Sequence, residues 1–194
     1  MDQSAISGGR LFLAAVPDAD ASVRIFRLAR ALKQAHGFPG KLIEPECLHV
    51  SLFFLGEFEE QLVRIVCDAA AEVRAQPFDT WFDCSATFLG RPGNRPFVLI
   101  GDEGLEGLRS FRRALGAALA TKGLKRLAKR EFTPHITLLY ADRKVEEYPI
   151  EPIRWTVKEF VLVHSLRGHR HLARWPLCSC RSAGSDIYDY SGHI

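Results

Sequence analysis

The stretch Leu48-His49-Val50-Ser51-Leu52-Phe53-Phe54-Leu55 sets a pattern that returns as Pro134-His135-Ile136-Thr137-Leu138-Leu139-Tyr140-Ala141. Each copy has a histidine, an aliphatic residue, a hydroxyl residue and a further apolar run. Short apolar runs of this kind read as strands. Side chains at i and i+2 of a strand share a face. His49 and Ser51 therefore point one way, and Val50 and Leu52 the other. His135 and Thr137 repeat the division against Ile136 and Leu138. The histidines stand 86 positions apart in a chain of 194 residues, close to half its length. Such a repeat predicts two similar lobes, each giving one strand to a shared cleft. A lone His-x-Ser or His-x-Thr is most often a structural histidine, but two copies half a chain apart point to a site.

Two imidazoles and two hydroxyls facing one another suit displacement at phosphorus. One imidazole takes a proton from water, the other gives one to the leaving oxygen, and the hydroxyls hold the non-bridging oxygens. The pattern leaves open which histidine is the acid. Neither belongs to a run of cysteine, histidine and carboxylate residues with the spacing of a metal-ligand set, so no metal ligand and no cofactor is expected.

Working outward, apolar content and turn residues predict strands over 10–16, 48–55, 78–89, 97–100, 134–140, 155–165 and 171–176. Helical spacing predicts helices over 19–36, 59–76 and 105–119. Hairpins set between helices favour an α+β fold with antiparallel sheet. One domain is expected over 1–180. Residues 181–194, aperiodic and rich in Gly, Ser and Asp, are expected to form a mobile tail.

Composition narrows the class. Apolar residues at 47% and charged residues at 25% exclude a disordered chain. The apolar stretch 48–56 is too short to span a bilayer, and the start has no secretory signal pattern. A net charge of +3 permits an anionic substrate and excludes a dedicated nucleic-acid-coating protein. Five cysteines, an odd count without a CxxC pair, predict a reduced cytoplasmic protein. Two basic clusters stand out: Lys122, Lys125, Arg126, Lys129 and Arg130, and then Arg167, His169, Arg170, His171 and Arg174. Each reads either as solvated surface or as a rim for phosphates.

The two motifs lie among further telling segments. These are Arg10-Leu11-Phe12-Leu13-Ala14, the continuation Gly56-Glu57, Phe132-Thr133-Pro134, and Glu159-Phe160-Val161-Leu162-Val163 followed by Ser165. On these residues the chain resembles the 2H phosphoesterase superfamily. Within it, the chain is similar to the bacterial RNA 2′,3′-cyclic phosphodiesterase family, also called 2′-5′ RNA ligase, over residues 10–177. The resemblance implies a bilobal α+β fold, with two antiparallel sheets in pseudo-twofold duplicated lobes around a central cleft and helices outside. It implies metal-independent hydrolysis of a 2′,3′-cyclic phosphate at an RNA end to a 2′-phosphomonoester. His49 then matches the proton donor and His135 the proton acceptor, with Ser51 and Thr137 holding the phosphate.

The partner implied is an RNA or oligonucleotide end, met by a monomer away from any membrane. The same residues would also suit a 2′-5′ linked oligonucleotide, in cleavage or ligation, or a nucleotide cyclic phosphate. A binding module with little activity is the reading from another class. Two departures stand out: Ser51 where relatives more often carry Thr, and Tyr140 where many carry Arg. Further candidate substrate contacts are Phe12, Tyr140, Ser165 and Arg167. Phe53 joins them in preference to Phe54, because strand parity puts Phe53 on the His49 face.

Overall fold

A computed structural model describes residues 8–128, 131–166 and 168–178. The expected tail at 181–194 lies outside the described residues, as do Arg167, Lys129 and Arg130.

The chain opens with β1 (Arg10–Ala15) and α1 (Ala19–His36). Asp18 starts the helix by accepting a hydrogen bond from the Ala21 N–H at 2.8 Å, and Gly37 ends it at φ 63°. A 3₁₀ turn, Pro45–Cys47, leads into β2 (Val50–Glu57). Next come α2 (Glu60–Ala71), β3 (Phe78–Thr87), β4 (Arg95–Ile100) and α3 (Glu106–Thr121). The remaining strands are β5 (Ile136–Ala141), β6 (Tyr148–Val157), β7 (Glu159–Ser165) and β8 (His169–Pro176). Among the described residues, no helix is long and apolar enough to cross a membrane.

Two predicted elements change. The helix expected over 59–76 stops at Ala71. Pro77 disfavours helical geometry at the residue before it, and Val73 and Ala75 pack on the core from outside the helix instead. The strand expected over 155–165 breaks at Lys158. Val157 pairs with Phe78 on β3, whereas Glu159 pairs with Pro176 on β8. The chain thus crosses from one end of the sheet toward the other. Strand β6 reaches back to Tyr148 through Pro149 and Pro152, which its place at the sheet edge tolerates.

The strands form one antiparallel sheet in the order β6-β3-β4-β5-β2-β1-β7-β8. This corrects the expectation of two separate sheets. The two motif strands themselves pair, through Val50 and Ile136, and that pair alone is the register between them. Outward from this join, each half runs from a motif strand to the strand preceding it in the chain, β1 or β4.

The two sheet faces have different jobs. Leu11, Leu13, Ala15, Val50, Leu52 and Ile136 belong to the main core, together with buried apolar residues of α1, α2 and α3. The helices therefore cover one face. On the other face Phe12, Ala14, Val161 and Val163 form a small cluster of their own. That uncovered face carries the histidines.

Candidate active site

Both histidines stand one residue before their strands, at the sheet's central join. Val50 and Ile136 are fully buried and pair across it. Continuing the antiparallel register one residue each way sets His49 across from Thr137, and Ser51 across from His135. The alternation expected from the repeat thus makes a four-cornered site whose base is anchored in the core.

Each imidazole is tied down in the same way. His49 Nδ1–H donates to the Cys47 carbonyl at 2.8 Å, and His135 Nδ1–H donates to the Thr133 carbonyl at 2.8 Å. A carbonyl can only accept, so Nδ1 carries the hydrogen in both rings. In the neutral form each Nε2 is then a bare lone pair. Ser51 Oγ–H donates to His49 Nε2 at 3.0 Å, marking where a proton or a phosphoryl oxygen would be handled.

Aromatic rings fix these imidazoles further. Phe12 stacks on His49 with centroids 4.8 Å apart, and His169 meets it edge-on at 4.9 Å. Phe88 meets His135 edge-on at 5.0 Å. Burial drives the His49 pKa down to about 4, against a partial upward pull from the Cys47 carbonyl. The neighbouring His169, His135 and His171 push it down further. His169 and His171 are also lowered, mainly by burial. The resting site therefore favours a neutral His49. Among the described residues, no group of three His, Cys, Asp or Glu side chains is placed to hold a metal ion.

Strand parity fails at the aromatics, and bulges are the reason. Ser51 pairs with Ala14 and Phe53 with Leu13, so Leu52 is an extra residue between them. The bulge turns Phe53 to the core, where it is 3% exposed, and lifts Phe54, 45% exposed, onto the histidine face beside Phe12. The preference for Phe53 over Phe54 is thereby corrected. The second motif repeats the device: Thr137 pairs with Val98 and Leu139 with Phe97, leaving Leu138 extra. Tyr140, also 45% exposed, thus reaches the same face as Thr137.

A single-bridge join of two His-x-Ser/Thr strands, with both rings locked alike, narrows the comparison with known proteins. The family model for the 2′-5′ RNA ligase superfamily matches residues 17–169. The chain belongs to that superfamily. It is therefore a 2H phosphoesterase, named for the two histidine motifs. Over 139 residues it is 33% identical to an RNA 2′,3′-cyclic phosphodiesterase of Archaeoglobus fulgidus, covering 71% of this chain and 76% of that protein. A protein of the same name from Aeropyrum pernix is 34% identical over 115 residues, covering 58% of this chain and 64% of the relative. Among solved structures, a phosphoesterase superposes with a TM-score of 0.71 at 28% identity, covering 88% of this chain and 98% of that one. E. coli LigT in its apo form superposes at 0.68, with the same identity and coverage.

The other singled-out residues of this 2H chain divide. Phe12 lies at the site against His49. Ser165 is the β7 partner of Arg10 and lies on the same face, one cross-strand step from His169. In the second basic cluster Arg174 is engaged by Glu159 at 2.5 Å and by His171 at 2.8 Å, and Arg170 pairs across from His164 on the helix-covered side. Two ring contacts escaped the sequence reading. Phe88 sits just past β3 with no local pattern to mark it. From sequence His169 reads only as one of the basic residues; the hairpin pairs it with Ser165, and its ring alone reaches His49.

Proposed function

We propose that this 2H phosphoesterase hydrolyses RNA 2′,3′-cyclic phosphate ends to 2′-phosphomonoesters without a metal ion. The observation that carries the reading is the pair of imidazoles on one sheet face, each locked by a backbone carbonyl so that Nε2 is the working nitrogen. The names of the Archaeoglobus and Aeropyrum relatives support the choice of substrate.

In this mechanism His135 Nε2 accepts a proton from water as the water oxygen attacks phosphorus. The bond from phosphorus to the 3′ oxygen breaks, and that oxygen takes the proton from His49 Nε2. The product keeps its phosphate on the 2′ oxygen and regains a 3′ hydroxyl. Ser51 and Thr137 hold the non-bridging oxygens as negative charge builds on them. Phe12 and His169 keep the His49 ring oriented.

The test is hydrolysis of a short RNA ending in 2′,3′-cyclic phosphate, in excess EDTA, with the product followed by phosphorus NMR. Turnover to a 2′-phosphate is expected. His49→Ala and His135→Ala should each lose about 10²–10⁴-fold in rate while remaining folded. Near-normal turnover in either variant rejects the mechanism, and loss of activity in EDTA rejects its metal independence. A 3′-phosphate product would exchange the roles of the two histidines. No turnover by folded protein would favour a 2′-5′ linked or nucleotide substrate.

A further inference from the structure

Beyond the histidines, the same sheet face opens into a cleft of about 490 Å³ lined by Gly9, Arg10, Phe54, Glu57, Ser165 and Leu166. Its size is that of a small-ligand site. Its place is set by the strands. Arg10 is two residues from Phe12 on the same face of β1, about 7 Å further along. Phe54 is the cross-strand partner of Phe12, whose ring stacks on His49. The cleft is thus continuous with the phosphodiester site, one step along the sheet.

Its lining has a consistent chemistry. Phe54 offers an exposed ring face, raised by the bulge at Leu52. A second irregularity, at Leu55, lets Glu57 pair with Arg10 and face the cleft as well. Arg10 is exposed, and its guanidinium has no hydrogen bond or ion pair among the described residues. The cleft therefore offers a stacking surface, a cation, a carboxylate and the Ser165 hydroxyl. Nucleic acid presents the matching set: a base to stack, a phosphate for the cation, and a ribose hydroxyl to donate to a carboxylate.

An RNA whose cyclic phosphate lies at the histidines continues in one direction only, toward its 5′ end. We propose that this cleft holds the nucleotide preceding the cyclic end. Its base stacks on Phe54, its linking phosphate meets Arg10, and its 2′ hydroxyl donates to Glu57. This inference rests on the hydrolytic reading above. It makes the protein an enzyme of oligonucleotide ends rather than of mononucleotides.

The experiment compares kcat/KM for adenosine 2′,3′-cyclic phosphate with that for the dinucleotide adenylyl-(3′→5′)-adenosine 2′,3′-cyclic phosphate. The dinucleotide should be preferred about tenfold or more, and in Arg10→Ala the ratio should fall toward one. A 2′-deoxy sugar in the first nucleoside should erode the preference in the parent and leave no further effect in Glu57→Gln. Equal kcat/KM for the two substrates, or an equal fall of both in Arg10→Ala, overturns the proposal. Should the parent hydrolyse neither substrate, the hydrolytic reading fails, and calorimetry of the dinucleotide 2′-phosphate against adenosine 2′-phosphate decides the cleft alone. Tighter dinucleotide binding that Arg10→Ala abolishes upholds it, and equal affinities overturn it.

Discussion

His49 is gripped at both nitrogens, by a carbonyl on one side and a hydroxyl on the other. Its surroundings are aromatic, and the titratable neighbours that lower its pKa are other imidazoles. A ring with a pKa of about 4 is protonated in about one molecule in a thousand at pH 7. A proton donor in that state needs a counter-charge, and an anionic phosphodiester is the group that brings one. We therefore predict that the His49 pKa, followed by NMR, is near 4 in the free protein and rises on adding adenosine 2′-phosphate. An unchanged value would make His49 the base and His135 the acid. Stability carries the same signature. The folded pKa lies below the unfolded value of 6.5, so the unfolded chain binds the extra proton between them. His49's contribution is full above pH 6.5 and is lost as pH falls through 4, a term of about 3 kcal/mol at most. His49→Gln should flatten the acid limb of a plot of Tm against pH, and an unchanged limb would reject the assignment. At this scale the four corner residues were legible, because period two decides which side chains flank one another. Phe54 was not: a bulge depends on the partner strand and leaves no mark in β2's own sequence.

The elements hold this geometry through loops as much as through strands. Residues 38–46 run beside β5, where Ile43 N–H donates to the Leu138 carbonyl at 2.8 Å and Leu42 bridges Leu139. Lys33 Nζ reaches the Gly40 carbonyl at 2.7 Å, tying this loop back to α1. A Cβ added at Gly40 would stand 2.2 Å from the Tyr140 carbonyl oxygen. Backbone cannot yield there without moving the strand that follows His135. Gly40→Ala should cost about 1–3 kcal/mol by chemical denaturation and lower turnover as well. Parent-like stability and turnover would mean that the loop does not brace β5. Helix α1 shows why some elements read directly from sequence: Asp18 is a local start signal and Gly37 a stop signal, and together they bound an amphipathic run. The break between β6 and β7 has no such signal. Trp155 to Ser165 is rich in β-forming residues on both sides of the charged pair Lys158-Glu159, and the competing partners β3 and β8 divide it there. The single sheet was hidden for the same reason, since its two halves meet through one tertiary pair.

Over the whole molecule, charge is nearly balanced, with 26 basic against 23 acidic residues. Many basic side chains are already paired. Lys122 meets Glu72 at 2.6 Å, Arg113 meets Glu106 at 2.9 Å and Arg174 meets Glu159 at 2.5 Å. On the reading proposed above, recognition is concentrated at a chain end, with the terminal phosphate at the histidine corner and the linking phosphate at Arg10. Each phosphate contact on a single strand contributes about 0.7 to the slope of log affinity against log salt. Two contacts therefore predict a slope near −1.4 for a dinucleotide 2′-phosphate. On that reading a twelve-residue RNA with the same end should give nearly the same slope. A slope of about −3 or steeper with the longer RNA, measured by anisotropy from 50 to 300 mM salt, would show that the basic segment around Lys125 and Arg126 also takes up phosphates. The binding face would then extend well beyond the cleft. Equal slopes would fix the protein as a reader of ends, indifferent to the length of RNA behind the second nucleotide.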